Sequence, residues 1–351
     1  MEEEGAEYES HWTTVTFEVE CPWRSGSRGP PPRFTSGRRA PRFSRVLRWV
    51  RVPPEPSETP DRRALRVAAE AGRRAGVDVL DARVLRVRSS VHVELPRAGV
   101  VARVEAPGNE ELAHTQVWAA GLLADRGAPV ARLFRRELQP ILLGDGAVTL
   151  WRRLRSVETP RLEALGRSVR ALHEATRDAL PPDAIALDPF VPIRSDLDCP
   201  TSWSGSRESE ALWRRLEALE TEWPSTTRED PLGTVLVHGD VHADNAMVTE
   251  DGLVLIDFED AGIGPASWDF VPQAVGARRY GLPPDRYREF VGGYGAEPGE
   301  WPGLDLMCQV YELQVTTWAM RCSADLPRLA AEASIRVEGL LSGGERVWTL
   351  L

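Results

Sequence analysis

Apolar positions in the first third of the ordered-looking chain recur at two different periods. "PDRRALRVAAEAGRRAG" (60–76) carries them at helical spacing and ends in glycine, so it predicts a helix with a glycine stop. "ARVLRVRSSVHVEL" (82–95) and "GVVARVEAP" (99–107) alternate or run apolar with β-branched residues, which predicts strands joined by the turn "PRAG". "NEELAHTQVWAAGLLADRG" (109–127) returns to helical spacing, with Asn109 as N-cap and Gly127 as stop. "PILLGDGAVTLWRRL" (140–154) reads as a hairpin around Gly144, Asp145 and Gly146. Residues 57–150 are thus expected to form a small lobe, mostly antiparallel sheet with one packed helix.

From Trp151 onward the pattern is helical. An amphipathic stretch covers 161–180, and further helical patterns cover 206–223, 284–294, 305–321 and 326–341. Within this larger part (151–351) only "VLVHGDVHADNAMVTEDGLVLIDFE" (235–259) reads as a β-hairpin. The expected class is α+β and bilobal, a small antiparallel-sheet N-lobe followed by a larger, mainly helical C-lobe. No internal repeat is visible.

Residues 1–56 differ from both parts. The first twenty carry seven acids and no base, and residues 21–51 carry nine arginines and no acid among many Pro, Gly and Ser. Opposite charge blocks without apolar periodicity read as a poorly ordered extension. All 43 basic residues are arginine, so any phosphate bound through a charged side chain must be gripped by a guanidinium. A net charge of −10 argues against general nucleic-acid binding. No run of eighteen apolar residues predicts a membrane span, and the acidic N-terminus lacks a secretory h-region. Cys21, Cys199, Cys308 and Cys322 are scattered without a C-x-x-C pair, as expected for reduced thiols in a cytoplasmic protein. Nothing in the sequence indicates an oligomeric state.

The chemistry concentrates in the 235–259 hairpin. Its turn, "EDG", centred near Asp251, sets Asn245 opposite Asp257 at the open end, and Asp240 lies in the loop leading in. An amide oxygen and a carboxylate side by side suit a shared Mg²⁺, with a separate carboxylate left to orient and deprotonate an attacking hydroxyl. His238, Gly239 and Asp240, then four residues to Asn245, reproduce the spacing of a kinase catalytic loop, and Asp257-Phe258 follows.

These residues resemble the signature of the aminoglycoside phosphotransferase family, in which H-G-D-x-H-x-x-N precedes I-D-F/W-E/D. "GPASWDF" (264–270) is similar to the segment that follows in that family, and the likeness extends from about Asp61 onward. The resemblance implies a kinase-like fold and transfer of a phosphoryl group from ATP or GTP, with Mg²⁺, to a hydroxyl of a small molecule. It implies Asp240 as catalytic base, Asn245 and Asp257 as metal ligands, and His238, His242 and Asp269 as residues that order the site. Arg103 lies where the family has a lysine on the nucleotide phosphates, and Gln116 where the family pairs that lysine with glutamate. Ser89 and Ser90 fall in the phosphate-covering turn, without a glycine-rich pattern. "VTLWRRL" falls at the interlobe hinge, with the nucleotide cleft near Trp151. Glu259 and Asp260 are either substrate ligands or solvated carboxylates, and His173 is assigned to helix packing.

Two other classes fit parts of the sequence. "GDVHAD" also resembles the first block of metallophosphoesterases, with Asp240 and His242 as ligands, but their later G-N-H-E block does not follow. A catalytically impaired nucleotide-binding module would account for Arg103 and Gln116. For the acceptor, residues 231–305 hold thirteen acids against four arginines, a charge that draws in cations and favours an amine-bearing alcohol such as an aminoglycoside.

Overall fold

The first part forms one five-stranded sheet, its central strands buried along most of their length and its first strand largely exposed. The computed structural model describes residues 59–349 apart from 88–89, 182–183, 324–325 and 345–346. Ser89 and the acidic, arginine-rich extension lie outside the described residues. The strands are β1 (Arg83–Val87), β2 (Val91–Leu95), β3 (Val100–Val104), β4 (Ile141–Leu143) and β5 (Gly146–Arg152). Their order is β1-β2-β3-β5-β4, antiparallel throughout. Helix α1 (Pro60–Arg74) lays Ala64, Val67, Ala68 and Ala71 against Val93, Leu95, Val100 and Ala102. Those small side chains let the helix approach the sheet closely. Helix α2 (Glu110–Asp125) follows β3 and buries Gln116 along with its alanines.

The segment expected to be the hinge is mostly strand. Val148 and Leu150 are buried, and the β3 ladder continues to Arg152, which pairs with Val100. The crossing to the helical part therefore begins at Arg153. There α3 (Leu162–Arg177) packs on α7 (Pro284–Tyr294). The two backbones nearly touch, since a Cβ on Gly166 would lie 2.1 Å from the Phe290 carbonyl and one on Gly293 2.0 Å from that of Glu163. The remaining helices are α4 (Phe190–Asp198), α5 (Arg207–Thr227), α6 (Val271–Arg279), α8 (Pro302–Cys322) and α9 (Pro327–Ser342). Ser206 caps α5 through its hydroxyl, which accepts from the Ser209 N–H.

Four short strands hold the middle of this part: β6 (Thr234–Val237), β7 (Ala246–Thr249), β8 (Gly252–Leu255) and β9 (Gly262–Pro265). The predicted hairpin is β7–β8, but its register is one residue off the expected one. Thr249 faces Gly252 across a tight turn of Glu250 and Asp251, so Ala246 faces Leu255. Asn245 then meets Ile256, whose N–H donates to the Asn245 carbonyl at 3.0 Å, instead of meeting Asp257. Strand β9 pairs with β6, and its glycines are required, because a Cβ at Gly262 or Gly264 would fall within 2.9 Å of Leu187 atoms. Among the described residues no helix is long and apolar enough to cross a membrane.

Candidate active site

Val235, Leu236 and Val237 of strand β6 are fully buried, and they deliver the polar loop 238–245 at a fixed point. Gly239 adopts φ +93°, and a Cβ there would lie 2.1 Å from the Asp260 carbonyl. Only glycine lets the two loops touch at this point. Asp269 gathers the loop from below. Its Oδ2 accepts the His238 N–H at 2.8 Å, and its Oδ1 accepts the Gly239 N–H at 2.9 Å. The same Oδ2 bonds His173 Nε2 at 2.8 Å, whose Nδ1 lies 2.9 Å from the Tyr294 hydroxyl. The Trp268 indole N–H donates to the Gly239 carbonyl at 3.0 Å. His173 therefore belongs to the catalytic-loop brace, a role that helical spacing alone did not reveal.

His238 is wholly buried and ties the loop to the hairpin. Its Nε2 bonds the Ile256 carbonyl at 2.9 Å, while its Nδ1 lies 3.4 Å from the Asp240 N–H. That pairing calls for the proton on Nε2, which makes His238 a spacer and not an acid.

The Asp240 carboxylate remains about one-third exposed. Oδ2 meets His242 Nε2 at 3.1 Å and the Asn245 amide N–H at 3.0 Å, and the Tyr311 hydroxyl stands 3.4 Å from Oδ1. Burial opposes its charge, but His242, His238 and Asn245 together hold the carboxyl below its ordinary range. Asp240 raises His242 in turn, against the desolvation of that ring. The amide of Asn245 also donates to the Asp240 backbone carbonyl at 3.0 Å.

Asp257 leaves the hairpin with φ +68°, a left-handed turn that a carboxylate side chain tolerates better than most. Across the cleft, Arg103 on β3 is buried and touches three carboxylates. Its Nε donates to Glu105 at 2.6 Å, and its two terminal nitrogens donate to Asp257 and Glu259. Gln116, on α2, donates to the same Glu105 oxygen at 3.2 Å. Glu259 therefore sits on the Arg103 side of the cleft. Asp260 keeps part of its residue surface open to solvent while its carboxyl turns toward Asp240 and Asp257. Ser90 is buried in the β1–β2 turn, and the Trp151 indole bonds Thr149 Oγ1 at 2.8 Å beside the β5 ladder.

One guanidinium cannot neutralise this cluster. Burial, with repulsion from Asp257, Asp260 and Glu105, pushes Glu259 up to about 8 despite its bond to Arg103. Desolvation and the nearby Asp240 and Asp257 carboxylates raise Asp260 as well. Carboxyl groups crowded beside an asparagine whose amide nitrogen is already engaged suit a hard divalent cation, which would displace the protons that crowding retains. Among the described residues no group of three or more His, Cys, Asp or Glu would hold a metal unaided. A cation here would take the Asn245 oxygen and Asp257, with other oxygens from outside the protein, as Mg²⁺ commonly does.

Sequence reasoning missed Glu105, Tyr311 and the His173 link. Glu105 reads as the last residue of an alternating strand, and Tyr311 lies on a helix far along the chain. Neither belongs to a motif, so only a contact could have marked them.

A small antiparallel sheet set on a helical lobe, with this loop and hairpin at their junction, defines a kinase-like phosphotransferase. The chain belongs to the phosphotransferase enzyme family, whose model matches residues 83–307. A comparison with curated proteins found no match. Among solved structures, the choline kinase of Streptococcus pneumoniae is 14% identical, with 80% of this chain and 100% of that one covered and a TM-score of 0.58. A microcompartment-associated aminopropanol kinase is 19% identical over 80% and 99% of the two chains, TM-score 0.56. A spectinomycin phosphotransferase in complex with ADP and spectinomycin is 16% identical over 80% and 98%, TM-score 0.53. At these identities the likeness establishes the fold, and small-molecule kinases recur among its holders. The protein is a phosphotransferase.

Proposed function

We propose that the protein moves the γ-phosphoryl group of ATP or GTP, with Mg²⁺, to a hydroxyl of a small amine-bearing molecule in the cytoplasm. Residues 57–150 would serve as the nucleotide lobe and 151–351 as the catalytic lobe. The observation that carries this reading is the shared bonding of Asp240 and Asn245 in one braced loop, opposite Asp257 and Arg103. Asp240, held ionised, accepts a hydrogen bond from the attacking hydroxyl and takes its proton as the new P–O bond forms. Asn245 and Asp257 would hold Mg²⁺, which when bound neutralises phosphate charge. Arg103 would turn its fork to the phosphates. The aminopropanol, choline and spectinomycin kinases share this fold, and all three names denote amine-bearing alcohols. The acidic stretch around Asp240 supports the same acceptor class.

The engagement of Arg103 by three carboxylates favours one second reading, a module that binds nucleotide but transfers slowly. One set of measurements separates the two. Asp240→Ala should lower turnover by about 10²–10⁴-fold with nucleotide affinity nearly unchanged. Asp257→Ala should lose Mg²⁺-dependent nucleotide binding. The acceptor is sought by nucleotide consumption against amino sugars, choline-like amines, macrolides and neutral sugars, at two ionic strengths. Near-normal turnover by the Asp240 variant would remove its role, and turnover confined to neutral acceptors would remove the charge argument.

A further inference from the structure

Arg103 has the wrong shape for a site built around lysine. A lysine has one terminal charge, so an anchoring carboxylate must meet it at its tip. Arginine has a donor nearer the backbone, Nε, and two at the end. Glu105 uses the first. It stands two residues along the same extended segment, so both side chains project from one face of the sheet. Its Oε1 accepts from Nε at 2.6 Å, and both residues are buried. Gln116 of α2 bonds that oxygen at 3.2 Å and holds the carboxylate in place without adding charge. The other Glu105 oxygen is buried with no hydrogen-bond partner among the described residues. Its burial is therefore tolerated for the sake of the Arg103 contact.

We propose that Glu105 is the positioning residue for Arg103, and that it replaces the helix-borne carboxylate whose position Gln116 occupies. The inference rests on the reading of Arg103 as a phosphate ligand. With Nε held by Glu105, the plane of the guanidinium is set, and its two end nitrogens point away from the anchor toward Asp257 and Glu259. Those ends can exchange carboxylate for phosphate oxygens, while Nε stays where it is. A bidentate grip on phosphate needs that fixed plane. The anchor lies one residue past the end of β3, on the same extended segment as Arg103, and α2 steadies it through Gln116.

The test is binding of a non-hydrolysable ATP analogue with Mg²⁺, set against binding of adenosine, in the full chain. Glu105→Gln keeps the shape and removes the charge. It should weaken the triphosphate about tenfold or more and leave adenosine within about twofold, as should Arg103→Gln. Gln116→Glu alone replaces the amide donor with a second buried carboxylate 3.2 Å from Glu105 Oε1, and should also weaken the triphosphate. The exchange variant Glu105→Gln/Gln116→Glu moves the carboxylate to the helix and should recover most of the lost triphosphate affinity. If Glu105→Gln binds like the unmodified protein while Arg103→Gln does not, the positioning role is wrong and the Arg103 reading stands. If Arg103→Gln also binds normally, the reading itself fails. Equal loss of triphosphate and adenosine binding, or no recovery in the exchange variant, would reduce Glu105 to a structural residue and overturn the proposal.

Discussion

Asp240 and Tyr311 show how much of this chemistry is set by single contacts. Burial, together with Asp240, Tyr280 and Asp260, pushes the Tyr311 phenol well above 10, so it stays a donor across the working range. At 3.4 Å from Asp240 Oδ1 it makes a long bond, one that turns the carboxylate without competing strongly for its lone pair. Tyr311→Phe removes about 1 kcal/mol of such bonding, so turnover should fall about fivefold with nucleotide affinity unchanged. Steady-state kinetics at saturating nucleotide checks this, and an unaltered kcat would mean that the phenol does not orient the base. That Asp240, Asn245 and Asp257 would gather in one place was legible, because three polar residues at fixed spacing have no use in a plain turn. Glu105 was not legible, since an acid at a strand end is common and only its contact with Arg103 gives it meaning.

At the scale of elements, the brace under the loop joins three separate parts of the chain: α3 through His173, the loop through His238 and Gly239, and the turn after β9 through Asp269. Asp269 is wholly buried and accepts from all three. Asp269→Asn replaces one accepting oxygen with a donor and leaves at least one buried N–H unpaired. The expected loss is roughly 1–3 kcal/mol of stability, read from the urea midpoint, with turnover reduced as the loop loosens. An unchanged midpoint would show that the loop is held otherwise. Long periodic helices such as α3 and α5 were visible in the sequence because one apolar face repeats over several turns. Helices α4 and α6 are nine residues each, too short to establish a period, and α4 carries Pro192 near its start. Strand β9 has no alternation at all; its pairing with β6 makes it a strand.

For the whole molecule, the carboxylates collected in one cleft give a pH dependence whose sign can be worked out. Glu259 is raised from 4.5 to about 8 in the folded protein, so the folded state holds a proton there that the unfolded chain has released. Between those values stability must fall as pH rises, and the upward push on Asp260 adds in the same direction. The melting temperature without ligand should therefore drop from pH 5 to pH 8. Mg²⁺ with nucleotide should raise it more at pH 8, where the cluster is charged. Differential scanning fluorimetry with the protein and Glu259→Gln tests this, because the variant should have a shallower slope. An equal slope in both would place the titration elsewhere.

The sequence by itself determined the class. Local periodicity set the order of strands and helices, and the spacing from His238 to Asp257 marked the polar loop and the strand that returns beside it. Both are properties of neighbours along the chain, and hydrophobic patterning and turn chemistry act at that range. What only the tertiary structure decided depends on residues far apart in sequence. It set the hairpin register, one residue from the expected one, through a tight two-residue turn. It turned most of the expected hinge into strand by extending the β3–β5 ladder. It brought His173, Asp269 and Tyr311 to the loop from distant elements. It also set Glu105 against the Arg103 Nε, because a neighbour two residues along the same extended segment can meet a guanidinium there while its two ends reach across the cleft.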